Sequence, residues 1–130
     1  MRTDAQALGD AAESAVAAAL VAAGWMILGR QVRLGRGELD IVAIDPGPPR
    51  MLVIVEVRWR RSRAFGFAEE TIDHRKRAHL RAAIGRLLEE GLPDGTPLAS
   101  LPMRVDLAVV EPPIRAGDTP RIRHHRAIPL

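Results

Sequence analysis

Two apolar runs that carry acids at alternate positions, joined by a loop that no strand can enter, constrain this chain more than any other stretch. They extend from Gly37-Glu38-Leu39-Asp40 to Val55-Glu56-Val57-Arg58. Leu39, Ile41 and Ala43 alternate with Glu38, Asp40 and Val42, and Val53, Val55, Val57 and Trp59 alternate with Ile54, Glu56 and Arg58. That is the period-2 pattern of strands. Between them, Asp45-Pro46-Gly47-Pro48-Pro49-Arg50 cannot continue either strand, because proline has no N–H to give a ladder. The pattern predicts an antiparallel hairpin.

Folded symmetrically about that loop, the hairpin sets Ile44 opposite Leu52, Asp40 opposite Glu56 and Glu38 opposite Arg58, with all four charged side chains on one face. Like charges directly opposed cost about 0.2–1 kcal/mol when solvated and more when half buried. Something positive is therefore expected between Asp40 and Glu56. Mg²⁺ suits the position, since it is held by one or two carboxylates together with water and substrate phosphates. A solvated face of mixed charge, with Glu38 and Arg58 as an ordinary cross-strand ion pair, accounts for the hairpin alone equally well.

The 130 residues, 47% of them hydrophobic, suffice for one domain with one core, expected to span 1–130. The absence of cysteine removes disulfides, thiolate chemistry and Cys-based zinc sites and suits a reducing cytoplasm. A net charge of +3 and a pI near 10.8 favour an anionic partner, with nucleic acid foremost. The Ala-rich run from Ala15 to Ala23 follows Asp4, Asp10 and Glu13 where a signal peptide would carry positive charge, and it is too short to cross a bilayer. A soluble cytoplasmic protein with no membrane association is expected.

In chain order, Thr3 or Asp4 caps a helix running to about Ala23 and stopped by Gly24, with Leu8, Ala12, Val16, Ala19, Leu20 and Ala23 as its apolar stripe. Glu13 borders that stripe. Trp25 to Arg33 reads as a strand that turns at Gly35-Arg36-Gly37 into the hairpin, making a three-strand antiparallel meander. Arg60, Arg61 and Arg63, beside Phe65 and Phe67, form a basic loop able to grip phosphates while a ring stacks on bases. A second helix spans about Ala68 to Glu90, its stripe being Ile72, Leu80, Ala83, Ile84, Leu87 and Leu88. Lys76, the only lysine in the chain, falls inside that stripe, with Arg75, Arg77 and Arg81 on the outer faces. It is either a snorkelling stem or a cation delivered to an acidic site. Arg104 to Val110 reads as a mostly buried strand, and Arg121 to Arg126 as a basic edge strand. His124 and His125 are adjacent, so on a strand they point to opposite faces, which argues against a shared metal site.

The helix with Glu13, Gly37-Glu38-Leu39-Asp40, Val55-Glu56-Val57-Arg58, the basic helix with Lys76 and Arg104-Val105-Asp106 together resemble the uncharacterised YraN-type bacterial protein family. That family resembles the restriction-endonuclease-like PD-(D/E)XK nucleases, and the match covers Gly9 to about Ala127. The resemblance implies an α/β restriction-endonuclease-like fold, a central mixed sheet flanked by helices. It implies Asp40, Glu56 and the carbonyl of Val57 as ligands of Mg²⁺ or Mn²⁺, with Glu13 as an accessory acid. Arg58 stands where the superfamily places a lysine. It supplies charge and a donor fork but cannot accept a proton, so Lys76 is expected to take the catalytic lysine's part.

The leading expectation is a Mg²⁺-dependent endonuclease acting on DNA, branched or damaged DNA included, with Arg60, Arg61, Arg63, Arg75 and Arg77 on the backbone. RNA and a homodimer remain open. The alternatives are a non-catalytic nucleic-acid-binding module with a degenerate site and a protein-interaction adaptor.

Overall fold

A computed structural model describes residues 3–61, 74–96, 98 and 100–130. The sequence expectations for Arg63, Phe65, Phe67 and Ile72 lie outside the described residues. Within them the chain runs α1 (Asp4–Ala22), β1 (Met26–Leu34), β2 (Gly37–Asp45), β3 (Met51–Trp59), α2 (His74–Glu90), β4 (Met103–Glu111) and β5 (Arg121–His125). No described helix is long and apolar enough to cross a membrane.

The strands form one five-stranded sheet in sequential order. β1, β2 and β3 make the expected antiparallel meander, β3 and β4 pair in parallel, and β5 returns antiparallel on β4. The parallel step follows from the connection. The stretch between β3 and β4 includes α2, long enough to carry the chain back to the strand's starting end.

Each helix covers one face. On α1, Ala12, Val16, Ala17 and Leu20 pack with Ile41, Ala43, Val53, Val55, Ala108 and Val110. On α2, Leu80, Ala83, Ile84 and Leu87 pack with Leu39, Val42, Leu52, Ile54 and Val105. Thr3 starts α1 with a capping box, its hydroxyl accepting from Gln6 N–H while the Gln6 side chain accepts from Thr3 N–H. The predicted stripes are too wide at their margins, since Leu8, Ala19, Ala23 and Leu88 are exposed. α1 meets a single flat sheet face, so only a narrow arc of it is covered. Glu13 lies within that arc, with the buried residues, not at its border.

The hairpin register is as read from the sequence, with Ile44 opposite Leu52 and Ile41 opposite Val55. Strict alternation, however, fails at Leu39, which packs on the α2 face although Ile41 and Ala43 pack on the α1 face. Across on β1, Gln31 takes a left-handed φ of 49° between the paired residues Arg30 and Val32. A left-handed residue in a strand re-aims its neighbours, and the same reversal appears on β1, where Val32 packs on the α2 face and Arg30 reaches α1.

Candidate active site

The β2–β3 ladder stops at Ile41 and Val55. Immediately beyond it, Asp40 Oδ2 accepts the Val57 N–H at 2.9 Å, so a side chain takes a donor from the neighbouring strand. Glu56 lies beside Asp40 and is 1% exposed. Lys76 Nζ comes to 2.9 Å from Glu56 Oε1, the Asp40 and Glu56 carboxyls are within hydrogen-bonding reach of one another, and Glu56 Oε2 accepts from no fixed N–H donor among the described residues. Burial pushes the Asp40 carboxyl up to about 7, reinforced by the neighbouring Glu56 charge and opposed by the Val57 N–H and Lys76. Asp40 and Glu56 are thus brought together as the sequence suggests, and Lys76 faces inward onto them.

Other expectations fare differently. Glu38 pairs with Arg33 of β1 at 3.3 Å, not with Arg58, because Arg33 is its register partner on β1. Arg58 is half-buried, its Nε enclosed without an acceptor among the described residues. Glu13 is 5% exposed, and Arg30 Nε donates to its Oε1 at 3.0 Å while Arg30 Nη2 donates to Ser14 Oγ at 3.0 Å. Burial raises the Glu13 carboxyl above its ordinary range, the Arg30 hydrogen bond opposes that, and the Asp40 charge adds to it. Glu13 is therefore close enough to feel Asp40. Yet no group of three or more His, Cys, Asp and Glu able to hold an ion exists among the described residues. Arg61 and Arg75 are exposed and Arg60 and Arg77 half-buried; Arg60 and Arg61 follow the end of β3 that carries Glu56, and Arg75 and Arg77 flank Lys76 on α2.

A second charged cluster at the other end of β2 went largely unseen in the sequence. Arg104 donates to Asp106 through Nε at 2.9 Å and to Asp45 through Nη2 at 2.8 Å. His124 Nε2 lies 2.8 Å from Asp106 Oδ2, and the Ala127 N–H donates to Asp106 Oδ1 at 3.0 Å. Arg104 and Arg126 stand over the Trp25 ring at 5.5 and 5.8 Å. The available signal was Asp106 itself, an acid in the apolar run Val105 to Val110, which buried polar groups tolerate only with partners.

The fold and the acidic site define an α/β protein with a five-stranded mixed sheet, a helix on each face and a carboxylate pair at one end. Residues 12–110 match the model of the uncharacterised protein family UPF0102. The chain is 41% identical over 112 residues to a UPF0102 protein of Roseiflexus castenholzii, covering 85% of this chain and 84% of that one. A relative from Symbiobacterium thermophilum is 38% identical over 105 residues, 81% and 82% of the two chains. One from Xanthomonas campestris is 41% identical over 111 residues, 84% and 85% of them. The chain belongs to the UPF0102, or YraN-type, family.

Proposed function

We propose that this protein is a Mg²⁺- or Mn²⁺-dependent endonuclease of restriction-endonuclease-like fold, with 1–130 as its one catalytic domain and DNA, branched or damaged DNA included, as its substrate. The observation that carries the reading is the Asp40–Glu56 pair, a half-buried and a buried carboxylate side by side, close enough to share a proton. Holding like charges together under burial costs stability unless something else at the site requires it. Two carboxylates and the nearby Val57 carbonyl fit the oxygen donors that a hard divalent ion takes. When bound, such an ion would polarise a phosphodiester and lower the pKa of an attacking water.

The chain's own groups supply the rest. The Val57 N–H holds Asp40 in orientation, and Lys76, tethered to Glu56, brings a compact ammonium charge to the carboxylate pair. Glu13, fixed by Arg30, contributes negative potential to Asp40 from α1.

One observation favours the binding-module alternative. Lys76 already compensates Glu56, so the site tolerates its acids in part without an ion. The test is to incubate the protein and an Asp40→Ala/Glu56→Ala double variant with linear, nicked and four-way-junction DNA plus Mn²⁺. Cutting by the parent is expected to exceed that of the variant by at least about 100-fold, a barrier difference of roughly 3 kcal/mol. Equal cutting in both samples marks a contaminant and ends the reading. Lys76→Ala cutting at the parental rate would remove Lys76 from the machinery.

A further inference from the structure

The left-handed residue of β1 stands across the sheet from the acidic site. Arg30 pairs with Ile41 and Val32 with Leu39, so the register sets Gln31 opposite Asp40. These two residues fall out of the ladder, and Gln31 takes its φ of 49° there. In that conformation a Cβ crowds the neighbouring carbonyl, a penalty that glycine escapes. A glutamine kept where glycine would be easier, inside a strand and facing a candidate catalytic acid, indicates that its side chain is used.

That side chain reaches α1. Gln31 Nε2 donates to Asp10 Oδ1 at 3.3 Å, while Arg30 donates through Nε to Glu13 Oε1 and through Nη2 to Ser14 Oγ, each at 3.0 Å. Asp10, Glu13 and Ser14 are three and four residues apart, so they share one helix face and meet two consecutive residues of β1. Regular alternation would put Arg30 and Val32 on the same face of the sheet. The left-handed residue between them lets Val32 enter the α2-side core while Arg30 reaches α1. With its side chain 7% exposed and bonded to Arg30, Glu13 has little freedom to turn away. The Gln31 amide and Arg30 both favour the ionised form of Glu13, and the Asp40 charge is near enough to oppose it.

We infer that Gln31 and Arg30 are positioning residues of the acidic site, a clamp from β1 onto α1 that keeps the Glu13 carboxylate beside Asp40, where its charge adds to the hold on a divalent ion. This rests on the ion-binding part of the nuclease reading and assigns the residues that orient its accessory acid. The strain of a left-handed glutamine is thereby set against the placement of Glu13. Partners that orient a carboxylate near an ion tune its affinity without touching the ion themselves.

The test is Mn²⁺ affinity by isothermal titration calorimetry for the parent, Gln31→Gly and Arg30→Lys, each substitution alone and combined with Glu13→Gln, with melting temperatures taken on the metal-free samples. Lysine keeps the charge of Arg30 but lacks the planar fork that bonds Glu13 and Ser14 together. Each single variant is expected to bind Mn²⁺ about 10-fold more weakly than the parent. Gln31→Gly suits the left-handed backbone, so its melting temperature should be no lower than the parental one. On the Glu13→Gln background neither substitution should weaken Mn²⁺ binding further, because residues that act through Glu13 then have nothing to position. Parental Mn²⁺ affinity in Gln31→Gly, with or without a lowered melting temperature, overturns the clamp. So does an equal loss with and without Glu13, or no Mn²⁺ binding by the parent. The two proposals fail separately. Weakened single variants with no DNA cutting by the parent retain the clamp and sink the nuclease, whereas cutting by a parent whose Mn²⁺ affinity Gln31→Gly leaves unchanged does the reverse.

Discussion

The two ends of the central hairpin carry similar numbers of charges and treat them in opposite ways. Around Asp45, Arg104, Asp106 and His124 each charged group has a partner of opposite sign or a donor, and the carboxyls fall below their ordinary range. Burial raises Asp106, but His124, Arg104 and the Ala127 N–H together outweigh it. At Asp45, burial likewise raises the carboxyl and the Gly47 N–H and Arg104 outweigh it. Around Asp40, Glu56 and Glu13 burial prevails, and Asp40 and Glu13 rise instead. A closed network of this kind holds the fold together, whereas a cluster with charges left over is what a binding or catalytic centre requires.

The largest effect expected from this contrast is at the closed end. Asp106→Ala leaves Arg104, whose side chain is 13% exposed, with Asp45 as its remaining carboxylate and releases the Ala127 N–H, and should lower stability by about 3 kcal/mol in urea unfolding. A loss below about 1 kcal/mol would show the network to be dispensable.

A smaller and opposite effect is expected at the open end. The Asp40 carboxyl is raised from 3.8 to about 7, so its folded form holds a proton more tightly than the unfolded chain does. Its contribution to stability is present below pH 4 and lost as pH rises through about 7. In EDTA the parent should therefore lose stability relative to Asp40→Asn between about pH 4 and pH 7. Parallel curves for the two proteins would mean that burial and Glu56 do not hold the proton on Asp40. Asp45 and Asp106 have the reverse sign, with stability present above pH 4 and lost as pH falls below it.

The smallest effect sharpens the comparison by lying in neither cluster. Arg33, 86% exposed at its side chain, pairs with Glu38, and Arg33→Ala should change stability by less than about 0.5 kcal/mol in the same unfolding assay. A larger loss would mean that the β1–β2 pairing depends on surface charge.

The sequence by itself determined the elements, the hairpin register and the inward aim of Lys76, since all three follow from periodicities of two and 3.6 that neighbouring residues carry together. The carboxylate pair of Asp40 and Glu56 was legible for the same reason, as two positions related by one hairpin. Tertiary structure alone decided that Leu39 and Asp40 depart from strict alternation, that Arg30 holds Glu13, that β3 lies parallel to β4 and that Asp45, Arg104, Asp106 and His124 meet. Those groups are brought together from distant parts of the chain, and nothing in a local pattern specifies which distant charge will neutralise a buried one.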